Sequence, residues 1–131
     1  MHVRDATAGD TAAVAGLAAA DIDAARLIRD RTVQVAVADD GDDEDVIGFL
    51  SYETGRDAVH ITRIAGDAEA IEALLDPPQT FATRETLPVE VVRPANGTDD
   101  ITAALVAASF ESAGPGPVFA GEPTTRYRWE P

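Results

Sequence analysis

Two histidines, ten arginines, twenty-four carboxylates and no cysteine define the side-chain chemistry open to this chain of 131 residues. Without Cys, disulfides and thiolate zinc sites are excluded, and His2 and His60 are too few for a histidine-based metal centre. No metal site is expected. What remains is proton transfer. A neutral imidazole near pH 7 suits a general base, so His60 is the first candidate, and Glu53 at the end of a strand is the second. Each has a plainer reading: His60 as a sheet histidine with a satisfied ring, Glu53 as a solvated edge acid. Arg63 is divided in the same way between an anion contact and a surface ion pair. The acidic run Asp39 to Asp45 invites a calcium reading, but such a loop needs Gly at its sixth position and Glu at its twelfth, and neither register fits. A solvated hairpin loop is expected there.

The elements that must position these residues follow from hydrophobic spacing. His2 to Thr7 reads as a short strand. Asp10 is placed as the N-cap of a helix carrying Ala13, Val14, Leu17 and Ala18. A second helical stretch starts at Asp21 and ends near Asp30. Val33, Val35 and Val37 alternate as a strand should. Val46 to Glu53 forms the next strand, Thr54 to Asp57 a turn, and Val59 to Ile64 a fourth strand. Gly66-Asp67 breaks that strand, and Asp67 can cap a helix with Ala70, Ile71, Leu74 and Leu75 on its inner face. Asp76-Pro77-Pro78 should interrupt this helix, because proline lacks the donor and constrains its predecessor. Leu87 to Val92 is a fifth strand, and Pro94 to Gly97 a turn. Asp99 or Asp100 caps a last helix running through Ile101, Leu105, Val106 and Phe110. A Gly/Pro-rich tail from Gly114 to Pro117 ends in a strand where Thr125, Tyr127 and Trp129 alternate with two arginines, the two aromatics read as sheet-face packing. The order β-α-α-β-β-β-α-β-α-β predicts an α/β (α+β) domain spanning 1–131, a mixed and mostly antiparallel sheet with helices on both faces.

The net charge is −14, all ten basic residues are Arg, and the acids are spread over nearly every segment. An acidic tail would concentrate them, and a binder of basic partners would gather them on one face. A proteome adapted to molar salt, where the screening length is about 3 Å, accounts for the even spread. A Lys-free surface this negative repels phosphates, so nucleic acid is not an expected partner. No stretch approaches the ~18 consecutive apolar residues of a membrane span, and the charged start carries no apolar run of a signal peptide. A cytoplasmic protein without a membrane partner is expected.

Three local patterns, in order, resemble the GNAT N-acetyltransferase superfamily. Arg4 to Leu17 is similar to the first strand and helix of many members. Val35 to Asp40 followed by Val46 to Leu50 resembles the second and third strands, with Gly48 and Phe49 in the family's usual place. Arg63-Ile64-Ala65-Gly66-Asp67-Ala68 is similar to the coenzyme signature Arg/Gln-x-x-Gly-x-Gly/Ala, directly after the fourth strand. The resemblance implies a GNAT-like acyl-CoA N-acyltransferase fold with acetyl-CoA as co-substrate. It implies that Gly66, Asp67, Ala68, Glu69 and Ala70 cradle the pyrophosphate at a helix N-terminus, whose free N–H groups and partial positive charge favour anions. It also implies that Ile61, Thr62, Arg63, Ile64 and Ala65 hold the pantetheine arm by backbone hydrogen bonds, and that His60 or Glu53 deprotonates an amine.

The chain departs from the family pattern where Asp67 and Glu69 replace basic or neutral residues, and where the Asp67 carboxylate can occupy amides a phosphate would use. A third departure is at the last helix, where Leu105 falls near the position of the family's thiolate-protonating Tyr and Ser109-Phe110 replaces Gly-Phe. The implied identity is a degenerate member of haloarchaeal type. Its expected activity is direct acetyl transfer to a small-molecule or peptide amine, with a homodimer allowed. The alternative is an inactive GNAT-fold module that binds acyl-CoA weakly or acts through protein contacts.

Overall fold

The computed structural model describes residues 1–18, 22–38, 45–95, 100–118 and 120–131. The start at Asp21, most of the acidic run from Asp39, the Asn96-Gly97 turn and the cap at Asp99 lie outside the described residues. The strands are β1 (His2–Asp5), β2 (Thr32–Ala38), β3 (Asp45–Thr54), β4 (Val59–Gly66), β5 (Val89–Pro94), β6 (Glu111–Pro115) and β7 (Thr124–Trp129). The helices are α1 (Thr11–Leu17), α2 (Ala24–Asp30), α3 (Ala68–Glu85) and α4 (Asp100–Ala107). All described strands join one sheet of order β1-β2-β3-β4-β5-β7-β6, antiparallel except where β4 meets β5.

Alternation along each strand divides the core between two faces. Val33, Val35, Val37 and Phe49 pack with Val14, Ala24 and Leu27 of α1 and α2. Leu50, Val59, Ile61, Val89 and Val91 pack on the opposite face with Ile71, Leu74, Leu75 and Leu105 of α3 and α4. The expected layering, with helices on both faces, is what the chain adopts.

Local expectations fail where packing or ladder bonding outweighs sequence signals. Asp76-Pro77-Pro78 does not interrupt α3. The buried stripe Ile71, Leu74, Leu75, Pro78 and Ala82 runs straight through the prolines, and burying it offsets the ~3 kcal/mol penalty of an interior proline. α3 ends instead at Thr86, in the left-handed conformation at φ 57°, where the Leu87 amide donates to Ala82 O at 2.9 Å. Gly114 and Pro115, the first two residues of the expected tail, belong to β6, an edge strand held by ladder bonds to β7 rather than by apolar alternation. Phe110 lies outside α4 yet is buried in the core, and α2 starts at Ala24 with Asp23 accepting from the Arg26 amide.

Asp10 stands at the N-cap of α1 as expected, but its side chain makes no capping bond to that helix. It closes a single 3-10 turn (Ala8–Asp10), accepts from the Thr7 amide at 2.8 Å, and takes both terminal nitrogens of Arg4 at 2.8 and 3.0 Å. This forked, charge-assisted pair ties β1 to the start of α1. Hydrogen bonding from Arg4 holds the nearly buried Asp10 carboxyl down at about 2.

Candidate active site

The parallel ladder between β4 and β5 is only three residues long, pairing Val59 with Val89, His60 with Glu90 and Ile61 with Val91. Immediately beyond it β4 bulges. Ser51 of β3 opposes Arg63 while Tyr52 opposes Ile61, leaving Thr62 as the extra residue. A 2.7 Å hydrogen bond between the Ser51 and Thr62 hydroxyls pins the bulge. The two strands then part, and a cleft of about 450 Å³ opens between them. Thr62, Arg63, Ala65 and Gly66 line one wall, and Val92 and Arg93 the other. Among the described residues no strand pairs with β4 on this side beyond Ile61, so its N–H and C=O groups there can take an external partner.

At the mouth of the cleft β4 turns into α3 with no room for side chains. A Cβ on Gly48 would lie 3.0 Å from Ala65 O and from Ala70 Cβ; one on Gly66, whose φ is +138°, would lie 3.0 Å from Gly48 Cα. Both glycines are therefore required for the first turn of α3 to sit on the sheet. Asp67 caps that turn, its Oδ1 accepting from the Ala70 amide at 2.9 Å. The amides of Ala68 and Glu69 keep no acceptor inside the helix. Of the residues expected along the coenzyme, Ile61 to Gly66 line the cleft, while Asp67, Ala68 and Glu69 are exposed at the helix start. Ala70 is buried behind the turn.

A second cavity, of about 480 Å³, shares Ile61, Thr62, Val91 and Val92 with the first and continues it along the α1/α2 face. His60 and Glu53 both line it, as do Glu90 and Arg126. His60 is the cross-strand neighbour of Glu53 on β3 and of Glu90 on β5. Glu53 is engaged by Arg31, and Glu90 receives Arg128 at 3.5 Å. No hydrogen bond joins the half-buried His60 ring to another described residue. The ring lies against Gly55, where a Cβ would come within 3.1 Å of Nε2.

Neither cavity is lined by a tyrosine. Leu105 is fully buried in the core, and Tyr52, whose phenol is raised by burial, packs on the α3 face against Phe81. Glu90, Arg93 and Arg126 are the lining residues that sequence reasoning missed. Glu90 and Arg126 stand at positions whose spacing marks them as outward-facing, Arg93 falls in phase with the buried Val89 and Val91, and only the sheet order brings all three to β4.

No family model matches this chain, and no curated protein does. Solved structures match over nearly its whole length. A GNAT-family acetyltransferase from Bacillus cereus is similar with a TM-score of 0.75 and 15% identity, over 98% of this chain and 96% of that one. A ribosomal-protein-alanine N-acetyltransferase from Brucella melitensis gives 0.72 and 17%, over 99% of both chains. A Bacillus subtilis acetyltransferase in complex with CoA gives 0.69 and 12%, over 98% and 97%. These likenesses establish the fold: the chain has the architecture of the GNAT acetyltransferases.

Proposed function

We propose that this chain, built on the GNAT fold, binds acetyl-CoA in the β4/β5 cleft and transfers the acetyl group directly to an amine, with His60 as general base. The observation that carries the reading is the strand split: the Thr62 bulge ends a three-residue ladder and opens an unpaired β4 edge that leads to His60. The amides of a pantetheine arm can take the place of the missing strand on that edge. Arg63, Arg93 and the α3 N-terminus supply positive potential for the phosphates. Asp67 and Glu69 oppose them, by about 3 kcal/mol at ~5 Å and effective dielectric 20, but by under about 1 kcal/mol in water and less in molar salt.

His60 takes a proton from the ammonium form of the acceptor, and the freed nitrogen attacks the thioester carbonyl. The C–N bond forms, the nitrogen gives up its second proton to solvent water, the C–S bond breaks, and CoA departs as thiolate. No phenol lines the cavities to protonate it. A thiol with an ordinary pKa near ~8.5 is a tolerable leaving group in that form, so the missing acid slows transfer by ~10²–10⁴ rather than abolishing it.

Thiol release from acetyl-CoA with a panel of amines tests the reading. His60→Ala should lose ~10²–10⁴ in kcat. Full activity in His60→Ala would pass the role to Glu53 or to water. The second reading, a silent module that binds acyl-CoA weakly, is favoured by the Asp67 carboxylate holding the Ala70 amide. It would be supported by calorimetric CoA binding without turnover of any amine.

A further inference from the structure

We infer that the acceptor is an amine that also carries a carboxylate, a free amino acid by class, and that Arg126 is the residue that selects it. The inference rests on the acetyl-transfer reading and names the chemistry of the same site.

The charge distribution carries the argument. Acids outnumber arginines by 24 to 10, and Arg4, Arg26, Arg29, Arg31 and Arg128 are each held by a carboxylate. Arg126 is half-buried, and among the described residues its guanidinium has no hydrogen-bond or ion-pair partner. It lines the cavity that also holds His60. The other charged groups there are Glu53, engaged by Arg31, and Glu90, reached by Arg128, which is shared with Glu130. With both carboxylates engaged, Arg126 is the cationic side chain left to meet a ligand. A simple amine would leave the Arg126 guanidinium without an anion, whereas one carboxylate matches one guanidinium in forked geometry.

The register supports a small molecule. His60, Glu90 and Arg128 form one cross-strand row, and Val92 and Arg126 form part of the next row on the same face. Two strand spacings and one two-residue step separate the Cα atoms of His60 and Arg126 by roughly 12 Å. Both residues line the one cavity, which leaves room between them for an ammonium at His60 and a carboxylate at Arg126.

The test compares L-amino acids with their own carboxamides, which keep the amine and remove the anion. Binding is followed through the His60 imidazole resonances, with and without CoA, and acetylation is followed by thiol release. Wild type should bind acids at least roughly tenfold more tightly than amides, the scale of a charge-assisted hydrogen bond. Arg126→Gln should erase that preference while leaving amide binding unchanged, and Arg126→Lys should keep part of it. Acids and amides binding wild type equally would overturn the inference, as would equal losses for both in Arg126→Gln. Because binding needs no turnover, a preference for acids without acetylation would uphold the role of Arg126 while sinking the transferase reading. Acetylation of acids and amides with equal kcat/KM would do the reverse.

Discussion

Replacing Asp10 by Asn should destabilise the protein by about 2 kcal/mol at neutral pH, and this difference should vanish in acid. The residue is 6% exposed and takes both terminal nitrogens of Arg4 together with the Thr7 amide. Its carboxyl is held at about 2 against an ordinary 3.8. At roughly 1.4 kcal/mol per pKa unit, that depression corresponds to about 2 kcal/mol of folding stability. The folded value lies below the unfolded one, so the contribution is fully present above pH 3.8 and declines as pH falls toward 2, below which it is gone. Acidification also discharges the other carboxylates and relieves self-repulsion, so the wild-type curve alone does not isolate the term. The difference between wild type and Asp10→Asn in denaturant-derived stability, measured from neutral pH to below pH 2, removes the common background. Most of it should survive molar KCl, because hydrogen bonds in a nearly buried pair are screened far less than exposed charges. A difference that is constant across the whole pH range would refute the reasoning, since it would then arise from packing rather than from ionisation.

Three further outcomes are expected. Asp67→Asn should tighten CoA binding in calorimetric titration, because it keeps the helix cap while removing an anion from the phosphate end; unchanged or weaker binding would reduce the loop to a helix start. Gly66→Ala should cost about 1–3 kcal/mol or more through its φ of +138° and its contact with Gly48, whereas Gly16→Ala in α1, with nothing within 4 Å of its Cβ, should be neutral or stabilise by about 0.5–1 kcal/mol. Equal thermal midpoints for the two variants would contradict the close-approach argument. The thermal midpoint of the wild type should rise between about 0.1 M and about 3 M KCl as salt screens the −14 charge; a flat or falling midpoint would remove the salt-adaptation reading.

Much of this protein was legible in its residues. Alternation at Val33, Val35 and Val37, helical spacing at Ile71, Leu74 and Leu75, and the Gly66-Asp67 break each report a local preference, and local preferences survive folding wherever burial agrees with them. The run His60 to Gly66 stays together for the same reason, since consecutive residues of one strand share any sheet, whereas Glu53 joins it through the pairing of β3 with β4. Pro77-Pro78 and β6 were misjudged because a helix face buried on a sheet outweighs proline's local cost, and because an edge ladder needs no apolar pattern. The cleft itself has no sequence signature. It exists because Thr62 is one residue too many opposite Ser51, and register is a property of two strands rather than of one. The same holds for Glu90 and Arg126. They come from strands far along the chain, and only the order β4-β5-β7 places them on either side of a cavity with His60.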